Sequence, residues 1–225
     1  MIRNNILSCF GIALSVIVSS GCSEEAPANG DCTDTSKREM RFSFSLSQDT
    51  KASETSFENG DRVGLFVTDA GTPLQPSGNI VNNELFTCTG LSWESSRRLY
   101  WNDGLHDAYA YYPYSENAAS VTDYPFSIST DQRETGSPDE LKGLEASDFL
   151  FASANDIRAS SDPIDMTFRH ILSKLTVRLI KGEDFEGNIP ENATVYIHNT
   201  VPSATVDLSA GIATKTAKGK AETVI

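Results

Sequence analysis

The chain has 225 residues, of which 18 are basic and 31 acidic, so that its formal net charge is −13. Such an excess of acid argues against binding to nucleic acid or to an anionic membrane surface through charge. The length suffices for one large domain or two small ones. No spacing of Cys and His matches a zinc site, and we predict neither a metal nor another cofactor.

Residues 1–21 are typical of a secretory signal peptide. Arg3 is followed by an apolar run over residues 6–18 and by the small residues 19–21, directly before Cys22. This order of charge, apolar run and small residues precedes a cleavage site, and the run is too short to span a bilayer with confidence. We predict a lipoprotein signal, with lipidation of Cys22 and attachment to a membrane by acyl chains. The alternative is ordinary secretion, with Cys22 present by chance.

Residues 22–39 are polar and acidic, with Pro27 and Gly30 among them. Nothing in this segment is able to form a core, so we predict a disordered tether. Cys32 lies within it, and Cys88 lies near a predicted strand. Two unpaired thiols and a Cys32–Cys88 bridge both remain open.

From residue 42 onward the apolar residues recur with period two, which indicates β-strands. Phe42, Phe44 and Leu46 alternate with serines. Turn residues separate the later candidates. The predicted strands are 42–47, 62–68, 84–89, 98–101, 107–112, 124–129, 148–152, 164–169, 174–180, 194–198 and 205–208.

Many short strands with Gly, Pro and Asn turns favour an all-β fold of the β-sandwich type. We place an N-terminal sandwich domain at residues 40–165 and the start of a second β domain at 166–225. The strands after residue 163 are too few to close a second sandwich. Either the last part packs onto the first domain, or the chain is an incomplete form of a longer protein.

No arrangement of side chains predicts catalysis, and we do not expect an enzyme. His106, His170 and His198 are far from one another in sequence and from any nucleophile motif. A group of aromatic residues invites two interpretations, a sugar-stacking face or sandwich core, and core is the commoner use of such residues. The group comprises Trp101, Tyr109, Tyr111, Tyr112 and Tyr114.

Four segments, in this order, resemble the fimbrillin-like (Mfa-like, fimbrillin-A-associated) lipoproteins of Bacteroidetes. They are TSFENGDRVGLFV at 55–67, WNDG leading to AYYPY at 101–114, SDFLFA at 147–152 and FRHILSKL at 168–175. The resemblance implies a two-domain, transthyretin-like, all-β architecture. It also implies a subunit, anchor or tip protein of surface fimbriae, lipid-anchored in the outer membrane, with other fimbrial subunits as partners and a host or bacterial receptor as a further one.

In the family's assembly scheme, a protease cuts after a basic residue near the first strand, and a strand of the next subunit fills the groove that opens. The resemblance makes Phe42, Phe44 and Leu46 the candidate exchanged strand. The alternative is an ordinary edge strand that stays paired. The candidate processing residues are Lys37, Arg38, Arg41 and Lys51, each of which is otherwise a solvated charge.

A second function remains open, a surface glycan-binding lipoprotein that never polymerises. It would depend on an exposed aromatic face, whereas the fimbrial interpretation depends on a removable first strand.

Overall fold

The computed structural model describes residues 38–47, 56–216 and 220–225. The predictions for the signal peptide, Cys22, Cys32, Lys37 and Lys51 lie outside these residues. The described part forms β-strands and one short 3₁₀ turn, which confirms the all-β prediction, and it contains no helix long and apolar enough to cross a membrane. The strands are β1 Phe42–Leu46, β2 Arg62–Asp69, β3 Val81–Cys88, β4 Trp93–Ser95, β5 Leu105–Tyr112, β6 Tyr124–Ser127, β7 Leu150–Arg158, β8 Ile164–His170, β9 Tyr196–Thr200, β10 Ser203–Asp207, β11 Ile212–Lys215 and β12 Ala221–Val224, and the 3₁₀ turn is Glu145–Ser147.

A seven-stranded sheet with the order β1-β8-β7-β5-β2-β3-β4 forms the main body. β1 pairs with β8 in parallel, and the other neighbours in this sheet are antiparallel. β2 lies between β5 and β3 and is buried from Val63 to Thr68. A strand covered on both faces needs apolar side chains at consecutive positions, which explains its nearly continuous apolar sequence.

Two apolar cores lie on the two faces of this sheet. Successive side chains of a strand point to opposite faces, and Leu65 belongs to one core while Phe66 belongs to the other. The first core contains the side chains of β1. The second contains Val206 and Leu208, which the small sheet β11-β10-β6 brings against Phe149.

The predicted boundary between residues 165 and 166 falls inside β8. β10, from the predicted second domain, pairs with β6 of the first, with Val206 opposite Tyr124. The described residues belong to one compact unit. The last part of the chain thus contributes strands to the sandwich, in addition to the separate two-stranded sheet β12-β9.

Most predicted strands are found within a few residues of their predicted bounds, but two predictions are wrong. Residues 174–180 are in no strand, and Leu175 and Ile180 are 65% and 76% exposed. The alternation there is typical of a strand, yet no strand in the described part of the chain lies beside it to complete a ladder. Residues 98–101 contain only an isolated bridge, between Tyr100 and Glu39. The strand on this side is β4, which the sequence analysis missed.

Candidate functional site

β1 presents an apolar face to the first core and a polar face to solvent. Phe42 and Phe44 are buried and Leu46 is partly buried. On the other face, Ser43 bonds to Asp165 and Ser45 to Thr167 of β8. The structure thus brings the three residues of the candidate exchanged strand together on one face, as their spacing predicted.

β1 is held along one edge by β8, which is more than a hundred residues away in sequence. Phe44 lies opposite Met166 and Leu46 opposite Phe168 in the parallel register. At the ends of the ladder, the N–H of Ile164 donates to the carbonyl of Arg41 over 2.8 Å, and that of Ser47 donates to Phe168 over 2.9 Å. β1 is the last strand of the sheet on this side.

Aromatic rings surround the side chains of β1. The Phe42 ring lies 5.9 Å from those of Phe86 and Trp101. The Phe44 ring lies 5.5 Å from Phe86 and 5.0 Å from Trp93, in edge-to-face arrangements. These are the preferred geometries for aromatic pairs, and each adds to the stabilisation from burial.

On its other edge β1 pairs with no strand among the described residues, and β4 lies nearby. The indole Nε1 of Trp93 donates to the carbonyl oxygen of Phe44 over 3.2 Å. Just before β1, the Met40 N–H donates to Leu99 and the Trp101 N–H donates to Arg38, both over 2.9 Å. Arg38 therefore belongs to the ordered body, although the tether was predicted to extend to residue 39.

The two described candidate processing residues lie upstream of β1 and are hydrogen-bonded. Nη1 of Arg38 donates to the carbonyl of Ala159 over 3.0 Å. The backbone carbonyl of Arg41 accepts from Ile164, while its guanidinium lies 3.7 Å from Glu39 in an exposed ion pair. A protease needs an extended, accessible backbone, and both residues are poorly placed to supply one.

The aromatic group of the glycan alternative lies mainly in the interior. Trp101, Tyr111 and Tyr112 are buried, and Tyr109 packs partly buried against the second core. Burial raises the pKa of the Tyr111 hydroxyl, which donates to Asn83 over 2.8 Å. These residues do not form an exposed stacking face.

Two cavities among the described residues are lined by residues outside β1. A cleft of about 230 Å³ lies beside Arg62, Tyr114 and Asp139. A larger cavity of about 410 Å³ is lined in part by Leu172 and Ile197 and borders the exposed segment 174–180. The described residues contain no group of three or more His, Cys, Asp or Glu side chains placed to hold a metal ion.

The three histidines pair separately with carboxylates. Nδ1 of His170 lies 2.8 Å from Asp148, and that of His198 lies 2.9 Å from Glu222. Buried His106 has Asp69 at 3.8 Å. Cys88 is buried and forms no disulfide with another described residue, and a Cys32–Cys88 bridge stays a prediction.

Comparison with known proteins identifies the family. The model of the fimbrillin-like family matches residues 50–225. This chain belongs to the fimbrillin-like family. The match begins in the segment that follows β1 and covers β2 to β12.

A curated relative is the candidate fimbrium tip subunit Fim1C of Bacteroides ovatus, which is 26% identical over 163 residues. The match covers 67% of this chain, and the chain spans only 30% of the length of that relative.

Two crystal structures share the fold. A candidate cell adhesion protein of Bacteroides uniformis superposes with a TM-score of 0.58 at 20% identity, over 83% of this chain and 69% of that one. A second, of Bacteroides ovatus, gives a TM-score of 0.52 at 19% identity, over 83% and 76%. At these identities the likeness concerns the fold alone.

Proposed function

We propose that this chain is a non-catalytic cell-surface lipoprotein that acts as a subunit, anchor or tip component of fimbriae. The observation that carries the proposal is the membership of the fimbrillin-like family over residues 50–225. The relative Fim1C, a candidate fimbrium tip subunit, supports the fimbrial role. The signal-like residues 1–21, followed by Cys22, support anchoring in the outer membrane by acyl chains.

We further propose that assembly occurs by exchange of β1. β1 is short, lies at the end of its sheet and has a single strand neighbour, β8, among the described residues. Its departure would leave a groove lined by aromatic rings and an unpaired edge of β8. Such an edge binds an incoming strand through backbone hydrogen bonds, and the pockets vacated by Phe42 and Phe44 select its side chains.

Chain topology favours Lys51 over the two arginines as the processing residue. Cuts at Arg38 or Arg41 fall before β1 and leave it joined to β2, whereas release of β1 requires a cut between the two strands. Lys51 is the one basic residue between Leu46 and Arg62 in the sequence. We therefore assign processing to Lys51, since a cut at either arginine would remove only the tether and leave β1 attached.

The test is whether the chain is part of surface filaments. The tagged chain replaces the native copy in its host, filaments are sheared from the cells, and gold-labelled antibody locates the tag by electron microscopy. We expect label on filaments. Phe44→Asp should abolish it, since an unpaired charge in the core prevents folding, and Ser45→Asp, on the solvent face of β1, should preserve it.

Label confined to the cell envelope, with unlabelled filaments in the same preparation, would contradict the proposal. That result would favour a surface lipoprotein that does not polymerise.

A further inference from the structure

The two edges of β1 are held in different ways. On the β8 side a parallel ladder joins five residue pairs, from Phe42 opposite Ile164 to Leu46 opposite Phe168. On the other side lies β4, which is three residues long and pairs with β3. From β4, the side chain of Trp93 reaches the edge of β1 that pairs with no strand among the described residues.

Trp93 contacts β1 through both its ring and its N–H group. Its ring lies 5.0 Å from that of Phe44 at an angle of 90°. Its Nε1 donates over 3.2 Å to the backbone carbonyl of the same residue. One side chain thus contacts the phenyl ring of Phe44 and donates to the backbone carbonyl of the same residue.

The ring of Phe57 packs against the ring of Trp93. The two rings lie 5.0 Å apart at 88°, and the Phe57 ring also lies 5.4 Å from that of Phe168. Phe57 follows Lys51 in sequence. After a cut at Lys51, both Trp93 and Phe57 remain on the body of the protein, while Phe44 leaves with β1.

We propose that Trp93 is the residue that retains β1 in the sheet and that later receives the strand which replaces it. This inference rests on the proposed exchange of β1. Trp93 sets how readily β1 opens, because β1 cannot leave until the indole–carbonyl hydrogen bond and the ring contact with Phe44 have broken. The arriving segment must be extended and must carry large apolar side chains two residues apart, the second of them against Trp93 and Phe86, whose rings now contact Phe44.

Hydrogen exchange in the uncut full chain tests the retaining role. Trp93→Phe keeps an aromatic ring and removes the N–H donor, and Trp93→Ala removes both. We expect exchange of the β1 amides, followed by mass spectrometry, to accelerate several-fold to about tenfold in Trp93→Phe and further in Trp93→Ala. Glu94→Ala, an exposed change on the same strand, should leave it unchanged, and β7 amides should exchange as before in Trp93→Phe.

Unchanged β1 exchange in both Trp93 variants would overturn the inference. Equal acceleration in β1 and β7 would also overturn it, because it would show a general loss of stability and no local retention.

Oligomer formation after protease trimming separates this inference from the proposed function. Faster β1 exchange without any oligomer supports the role of Trp93 and contradicts exchange assembly. Oligomers that form at the wild-type rate in Trp93→Phe, with unchanged β1 exchange, support the assembly and contradict the role of Trp93.

Discussion

The ring of Tyr111 on β5 lies directly over the Cα of Gly64 on the neighbouring strand β2, where the two residues are register partners. A Cβ at residue 64 would lie closer to a carbon of this ring than van der Waals contact allows. The ring is fixed by its hydroxyl, which donates to Asn83 over 2.8 Å and lies 3.1 Å from the Ser115 carbonyl, a second acceptor for the same proton. Because Tyr111 belongs to the second core, this contact makes the packing of that core depend on the absence of a side chain at residue 64 of β2.

Gly64→Ala should therefore lower the free energy of unfolding. Overpacking of a core by a methyl group costs about 1–3 kcal/mol, and displacement of Tyr111 would strain its hydrogen bonds as well. Denaturant unfolding measures the change, with Gly182→Ala as the control, because a Cβ at Gly182 meets open space. Equal stability of the two variants would contradict the contact.

The sequence predicted which segments are strands better than it predicted which strands pair with each other. The alternation of Phe42, Phe44 and Leu46 indicates a strand with one buried face, and it has one. The parallel pairing of β1 with β8 was beyond reach, because the two strands lie more than a hundred residues apart and alternation carries no information about the neighbour. β4 was missed since three residues give too little pattern, and Trp93 was missed with it.

Residues 174–180 show that alternation alone also predicts a strand where none forms. Their alternation is as regular as that of β1, but a strand also needs a neighbour to satisfy its backbone groups, and sequence spacing does not supply one. The domain boundary at 165/166 came with two alternatives, a last part that packs onto the first domain and a second domain that is incomplete. β10 pairs with β6 of the first domain, as the first alternative describes.

Val177→Lys tests whether residues 174–180 lie outside the packed strands of the fold. The side chain of Val177 is 40% exposed and outside any strand, so we expect the free energy of unfolding to change by less than about 0.5 kcal/mol. Val67→Lys, at a fully buried position of β2, should prevent folding. Circular dichroism during denaturation compares the two. A loss in Val177→Lys as large as that in Val67→Lys would show that the segment is packed in the fold.

Asp61 should make stability depend on pH. Burial raises the pKa of its carboxyl, and the Glu58 charge adds to the rise, against the hydrogen bonds from the Glu58 N–H and the Tyr112 hydroxyl. A folded-state pKa above the unfolded one means that this contribution to stability is present below the unfolded pKa, near 3.8, and is lost as the pH rises through the folded value.

Asp61→Asn keeps an amide oxygen as acceptor and removes the charge. We expect a higher melting temperature than wild type near pH 7, with a difference that shrinks as the pH approaches about 4. Asp162→Asn, at an exposed position, should show no such trend. A less stable Asp61→Asn at neutral pH would mean that the carboxylate favours the fold.

Cys22→Ala tests the anchor. Acyl chains supply the membrane affinity of a lipoprotein, so the variant should be released or retained as an unprocessed precursor. Cell fractionation with an antibody to the chain measures this, and Cys32→Ala serves as the control, which should stay with the membrane. Mature-size Cys22→Ala that still fractionates as an integral membrane protein would show that the lipid prediction is wrong.

Exchange of β1 is the central claim, and limited proteolysis with mass measurement tests it most directly. The purified full chain is treated with a trypsin-like protease and analysed by light scattering and intact mass spectrometry. The account predicts that wild type is cut at Lys51, loses the fragment that carries Phe42 and Phe44, and converts from monomer to oligomer, whereas Lys51→Gln keeps β1 and stays monomeric. A wild-type chain that is cut at Lys51 yet stays monomeric, with residues 42–47 still bound, would contradict it.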